Sequence, residues 1–311
     1  MNINYINSLA SDDVLVLQAP YPWSADFKGQ VTNGLITHNH VIVLVTELHN
    51  DSAEFCRGGV HPRIHYLVCG FVDGVDTMPC MDWFAQTVDN YHNIQLKAAS
   101  KLTPYVSKPK AFDILLGQQK PHRQFIYDHI VRQGLEDKVV LSYIQDRGSV
   151  LGNTNWIWEP GVEVDESIQW TVTTVKYRSR YLPLSQIIPV SVYAETAYSV
   201  VAETNFDNHY SFYTEKIAKP ILAERLFIAV SGQYYLRNLR RLGFQTFDGI
   251  VDESYDTVED HRKRFKMCCE QIDYLIGQPQ EDILEKIRPI TEHNKKVMLE
   301  TDWLIKPNLT P

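Results

Sequence analysis

Residues 112–134 read Phe112-Asp113-Ile114-Leu115-Leu116-Gly117-Gln118-Gln119-Lys120-Pro121-His122-Arg123-Gln124-Phe125-Ile126-Tyr127-Asp128-His129-Ile130-Val131-Arg132-Gln133-Gly134, and residues 139–143 follow as Val139-Val140-Leu141-Ser142-Tyr143. The first five residues are mostly apolar, as a strand buried on both faces requires. Residues 117–121 supply turn chemistry. Phe125, Ile126, His129 and Ile130 then recur at helical spacing, and Gly134 suits the left-handed stop after a helix. Residues 139–143 return as a second strand. Strand, helix and strand in this order form a βαβ unit, which builds a parallel sheet covered by helices.

Working outward, the same rhythm recurs on both sides. Residues 14–18, 40–46 and 64–71 are apolar, strand-like runs, and 81–101 reads as a helix through Phe84, Val88, Tyr91, Ile94 and Leu96. Lys108-Pro109-Lys110 suits a boundary. Residues 146–183 have no clean period and read as an irregular excursion. Strands are expected over 191–202 and 226–230, with a short basic helix over 234–242 ended by Gly243. Thr257-Val258-Glu259-Asp260 resembles a capping box opening a helix whose apolar face carries Phe265, Cys268, Cys269, Ile272, Leu275 and Ile276. Pro279 breaks that helix, and 281–304 is again helical in pattern. A chain of 311 residues suits two domains. We expect an α/β protein with one domain over 1–108, a second over 109–275, and a helical tail over 276–311 packing back across both.

The net charge of −8 removes any argument for nucleic-acid binding from bulk electrostatics. Local basic clusters (Lys176, Arg178 and Arg180; Arg237, Arg240 and Arg241; Arg262, Lys263, Arg264 and Lys266) read as solvated faces unless they share one side. No window is apolar enough to span a membrane, and residues 1–5 carry neither the basic nor the apolar region of a signal peptide. Five cysteines without a C-x-x-C point to a reducing cytoplasm. The histidines of 38–40 and 61–65 lack a third ligand at metal-binding spacing, so no metal site is expected.

The chemistry concentrates in Tyr213-Thr214-Glu215-Lys216-Ile217-Ala218-Lys219-Pro220-Ile221. Thr214 suits an N-cap, leaving the first helical N–H groups to face an anion. Lys216 adds a full charge there, and Glu215 an acceptor for sugar hydroxyls. The plainer reading is an exposed, capped helix start with a Glu-Lys ion pair. Pro220 removes the N–H that would bond the Lys216 carbonyl, so the helix should loosen behind its first turn. Arg123 and Asn205 each follow a predicted strand, as the 213–216 segment does, which places all three on the sheet edge where α/β proteins bind ligands. Arg and Lys beside a helix N-terminus can clamp a pyrophosphate.

Glu203-Thr204-Asn205 followed by Tyr213-Thr214-Glu215-Lys216 resembles the donor-binding signature of α-1,3-fucosyltransferases, Glu-Asn-Ser and then Asp-Tyr-Ile/Val-Thr-Glu-Lys. Thr204 stands for the family's Asn, Phe212 for its Asp, and the spacer is longer. The likeness implies that Lys216 and Arg123 contact donor phosphate and Glu215 the ribose, with Asn205, Tyr213 and Thr214 completing the donor site. A longer likeness runs through Lys120-Pro121-His122-Arg123, Ser191-Val192-Tyr193, Leu236-Arg237-Asn238-Leu239-Arg240, Leu242-Gly243-Phe244-Gln245-Thr246-Phe247 and Asp252-Glu253-Ser254-Tyr255-Asp256. These resemble glycosyltransferase-like proteins of tailed bacteriophages.

The two resemblances together imply two Rossmann-like domains facing a cleft, the GT-B-type glycosyltransferase architecture. They imply a nucleotide-sugar donor, UDP-sugar before GDP-sugar, and no other cofactor. The implied acceptor is 5-hydroxymethylcytosine in double-stranded DNA, glucosylated or arabinosylated in the host cytoplasm. A surface glycan or protein acceptor is the first alternative, and a non-catalytic nucleotide- or glycan-binding module the second. No D-x-D motif is present, the nearest approach being Glu163-Val164-Asp165. A catalytic base should come from the other domain across the cleft. Glu47, after residues 40–46, is the first candidate and Asp73, after 64–71, the second. Lys101, Lys110, Arg178 and Arg180 are the candidate DNA contacts.

Overall fold

The computed structural model describes residues 3–21, 23–24, 26–143, 162–164, 174–177 and 180–304. Helix α1 (Ile3–Leu9) precedes a parallel sheet of β1 (Val14–Gln18), β2 (His40–Val45), β3 (Ile64–Val68) and a short outer strand, crossed by α2 (Phe27–Thr37) and α3 (Asn50–Gly58). β2 is buried along nearly its whole length. Val41, Val43 and Val45 pack into one core while Ile42 and Leu44 pack into another, the two-residue period of a strand covered on both faces.

The run expected as one strand over 64–71 is broken. β4 (Gly70–Val72) leaves the sheet, and β5 (Thr77–Pro79) takes the outer place beside β3. Gly70 has φ +151°, and a Cβ there would lie 1.8 Å from the Ser211 carbonyl oxygen. Only glycine allows that approach. β4 thereby pairs antiparallel with β12 (Tyr210–Phe212), far along the chain.

The 81–101 segment is helical but not uniform: α4 (Asp82–Asn90), a π-helical stretch at 91–95, and α5 (Leu96–Ala99). The wider turn lets Tyr91, Ile94 and Gln95 all be buried, and Gln95 brackets Ile188, donating to its carbonyl and accepting from its N–H.

The βαβ unit forms as read: β6 (Lys110–Leu116), α6 (Pro121–Gln133), β7 (Val139–Tyr143), with Gly134 in the left-handed region at φ 65°. The stretch 146–183, expected to be irregular, contains a small antiparallel sheet of β8 (Val162–Val164), β9 (Thr174–Tyr177) and β10 (Arg180–Pro183). The strand expected over 191–202 begins instead as α7 (Val190–Glu195). It becomes β11 (Thr196–Ala202) where the β-branched Thr196 turns its hydroxyl back to the Val192 carbonyl. After β12 come α8 (Glu215–Leu222), β13 (Phe227–Val230) and α9 (Tyr235–Arg241). α10 (His261–Ile276) starts later than the Thr257 reading. Its N-cap is Asp260, which accepts the Lys263 N–H at 2.6 Å, while Thr257 closes a 3-10 turn.

The second sheet has the order β7-β6-β11-β13, all parallel. From β6 the chain steps first to β7 on one side and later to β11 on the other. The strand order therefore reverses between β6 and β11, and the crevice at their carboxyl ends is the expected ligand position in an open α/β sheet.

The two sheets exchange parts. Phe84 and Tyr91 from the first hundred residues pack in the core of the second sheet, and Tyr210 and Phe212 pack in that of the first. α11 (Gln280–Glu300) runs against α8 and α4. Beyond it, Trp303 stacks on Phe244 and meets Phe84 edge-on. Among the described residues, no helix is long and apolar enough to cross a membrane.

Candidate functional site

Glu203 follows the seven residues of β11 and is 0% exposed. One carboxylate oxygen accepts from the Thr214 N–H (3.3 Å) and the Tyr235 hydroxyl (2.9 Å); the other accepts from the Thr204 N–H (3.0 Å) and the Thr214 hydroxyl (2.8 Å). Its backbone carbonyl accepts from Arg123 Nη2 (3.0 Å) and His122 Nε2 (2.9 Å). One residue thus fixes the end of β11 to the starts of α6, α8 and α9. A buried charge is tolerated because its lone pairs are occupied.

Around this hub the basic groups gather. Arg123, 4% exposed, lies in the first turn of α6 and donates Nη1 to the Gln118 carbonyl at 2.9 Å. Among the described residues, Arg123 Nε and His122 Nδ1 are buried without a hydrogen-bond partner. Burial, then the Arg123 charge, push the His122 imidazole down to about 3, so it is neutral at any physiological pH. Its Nε2 carries the proton donated to Glu203. Two ammonium groups converge on Thr204: Lys120 Nζ donates to its carbonyl, and Lys216 Nζ to its hydroxyl at 3.1 Å. Burial lowers Lys120 to about 8, and the repulsion of Arg123 and Lys216 outweighs the attraction of Asp207 and Glu203. These cations are held together against their own repulsion, at a helix N-terminus and a strand-order switch, an arrangement whose electrostatics favour an anion.

α8 begins as the sequence indicated. Thr214 is the N-cap, its hydroxyl accepting the Lys216 N–H at 3.2 Å. Glu215 is buried and Lys216 is 29% exposed, with their charged ends 3.0 Å apart. Burial alone would raise the Glu215 carboxyl, but Lys216 and Lys219 bring it below its ordinary range. Pro220 sits inside the helix, which nonetheless continues to Leu222.

Glu47 follows β2 at the carboxyl edge of the first sheet, half-buried. Burial first, then the charge of nearby Glu215, raise its carboxyl to about 7; Lys216 opposes, and Asp82 adds a smaller push. Glu47 is thus within electrostatic reach of Glu215 and Lys216 at the start of α8. Asn205 supports the arrangement. It accepts from Lys120 Nζ at 3.5 Å and donates to the Leu48 carbonyl at 2.7 Å.

Tyr213, Asp73, Lys110 and Lys101 lie elsewhere. Tyr213 is fully buried, its hydroxyl donating to the Tyr235 carbonyl (2.7 Å) and its ring 4.6 Å from that of Tyr235, so it supports α8 from behind. Asp73 faces Arg237 at 3.9 Å on the outer side of the β4–β12 pair. Lys110 starts β6 and donates to the Val139 carbonyl, which puts it at the amino edge, roughly 20 Å from the crevice at 3.3 Å per residue. Lys101 lies in an exposed turn after α5. Arg178 falls outside the described residues, and Arg180 begins β10.

Lys120, His122 and Glu203 join this cluster without having been expected in it, although they stand in the runs Lys120-Pro121-His122-Arg123 and Glu203-Thr204-Asn205. The available signal was a charged residue directly after an apolar strand for Glu203, and a basic N-cap ahead of Pro121 for Lys120. Among the described residues, no group of three or more His, Cys, Asp or Glu is placed to hold a metal ion. No family model, no curated protein and no solved structure matches this chain.

Proposed function

We propose that this chain is a nucleotide-sugar-dependent, metal-independent glycosyltransferase of the two-domain GT-B type. The observation that carries the reading is the convergence of Lys120, Arg123 and Lys216 at the switch point of the second sheet, with Glu47 facing them from the first. The sugar donor's diphosphate is held by Lys216, Lys120 and the first turns of α6 and α8, and Glu215 takes the ribose hydroxyls. Glu47, ionised, accepts the proton of an acceptor hydroxyl as its oxygen attacks the anomeric carbon. The bond to the diphosphate oxygen breaks, and the departing charge is met by the cations.

The favoured acceptor is 5-hydroxymethylcytosine in DNA, in the cytoplasm of a phage-infected host, as the likeness to the tailed-phage family implies. Transfer to a glycan or protein is favoured by one observation: Lys110, expected on DNA, sits at the sheet edge away from the crevice. A steep salt dependence of binding to hydroxymethylated duplex DNA supports the first acceptor, and a flat one the second.

The deciding experiment is calorimetry of UDP- and GDP-sugars with the wild type and Lys216→Ala. Loss of nucleotide-sugar binding in the variant, with the melting temperature nearly kept, is expected. Unaltered affinity would overturn the site.

A further inference from the structure

Beyond the cations and Glu47, a mostly buried polar network runs along α4. Asp82, buried in its first turn, accepts from Gln86 Nε2 at 2.7 Å; Gln86 Oε1 accepts from Gln186 Nε2 at 2.8 Å; Gln186 Oε1 accepts from Asn90 Nδ2 at 3.0 Å. Asp82, Gln86 and Asn90 are spaced by four and share one helix face. Gln186 belongs to a 3-10 turn, and the neighbouring Ser185 carbonyl takes the ammonium of Lys219 from α8 at 2.7 Å. α4, α8 and this turn touch one another pairwise. They form a polar triangle whose corners are Gln86, Gln186 and Lys219.

Its position is set by topology. α4 starts after β5, so Asp82 stands at the carboxyl edge of the first sheet, the edge that also carries Glu47. α8 starts after β12, with Glu215 at its head. The transferred group of any sugar donor held by Lys216 must lie between that cation and the base, beside the starts of α8 and α4. Gln86 and Gln186 have each used one N–H and one lone pair within the ladder, and Asn90 one N–H, out of two of each. Such amides match the paired donors and acceptors of sugar hydroxyls.

We propose that the Asp82–Gln86 face of α4, backed by Gln186, recognises the hydroxyl groups of the transferred sugar and selects which monosaccharide is moved. This rests on the glycosyltransferase reading above. Gln86 is a specificity residue, half-buried and within the triangle, while the nucleotide is held by α6 and α8.

The test measures affinities of the full chain for UDP-glucose and GDP-mannose, each beside its parent nucleotide, in the wild type and in Gln86→Leu. The expected result is a loss of roughly threefold to tenfold for the sugar nucleotide, the size of one neutral hydrogen bond, with nucleotide affinity unchanged. Gln86→Met, flexible and of similar volume, gives the same readout should the leucine variant fail to fold. Equal loss for sugar nucleotide and nucleotide, or no loss for either, overturns the assignment of Gln86 and leaves the glycosyltransferase reading standing. A wild type that binds none of the four ligands overturns that reading, and this assignment with it.

Discussion

The side-chain amide of Asn205 donates to the backbone carbonyl of Leu48 at 2.7 Å, joining the loop after β11 to the loop after β2. Leu48 is the neighbour of Glu47, so this bond ties the loop that carries Glu47 to the end of β11. Asn205→Ala removes one neutral hydrogen bond and should cost about 1 kcal/mol of stability. Its larger effect is expected on turnover. Denaturant unfolding and single-turnover kinetics, beside nucleotide-sugar affinity, separate the two; an affinity loss with intact turnover would contradict this role.

Glu47 should govern the pH profile. With its carboxyl raised to about 7, the ionised fraction, and with it the rate, climbs as pH passes through 7. The folded chain holds this proton more tightly than the unfolded chain, whose ordinary value is 4.5, so the contribution of Glu47 to stability declines as pH rises from about 4.5 through 7. Glu47→Gln should abolish the rise in rate and keep sugar-donor binding.

Lys120 gives an opposite pair of trends on the alkaline side. Lowered to about 8 from 10.5, it is more easily discharged in the folded chain, so the free protein gains stability between pH 8 and 10.5. A bound diphosphate favours the charged amine, so anion affinity falls as pH rises through 8. Near that pH, binding should take up a fraction of a proton, which titration calorimetry in buffers of different ionisation enthalpy reads directly. Lys120→Met should remove the uptake.

Gly70→Ala should prevent the native pairing of β4 with β12. The new methyl carbon would fall 1.8 Å from the Ser211 carbonyl oxygen, a backbone atom that cannot turn aside, at a φ of +151°. We expect a loss of several kcal/mol, the range of overpacking added to backbone strain, read as a fall in the urea midpoint. Gly74→Ala, with positive φ but open space around it, should be much milder.

The parts of this molecule that could be read from sequence are those decided locally. β2 was legible because five consecutive buried residues leave no other element, and the start of α8 because Thr214 caps the helix with its own hydroxyl. The break at Gly70 was not legible, since its cause, Ser211, lies in another strand from the second half of the chain. Val190–Glu195 carries enough β-branched residues to pass for strand, and becomes helix because Arg225 gathers its end, donating to the Tyr193 and Thr196 carbonyls. Glu203 looked like the end of a strand; its role appears only when Thr214 and Tyr235 arrive from two other elements.

The exchange of β12 and α4 between the two sheets has a consequence for anyone who would divide the chain. A fragment beginning near residue 109 would carry Tyr210 and Phe212 on a strand with no neighbour, and would lack the ring of Phe84 beneath Trp303. A fragment ending there would present β4 as an open edge. Both pieces should precipitate when made alone and recover solubility when co-expressed, and the intact protein should melt in one transition. A joint sewn by backbone hydrogen bonds does not swing. For the glycosyltransferase proposed above, this predicts a crevice of nearly fixed width and a turnover rate insensitive to solvent viscosity.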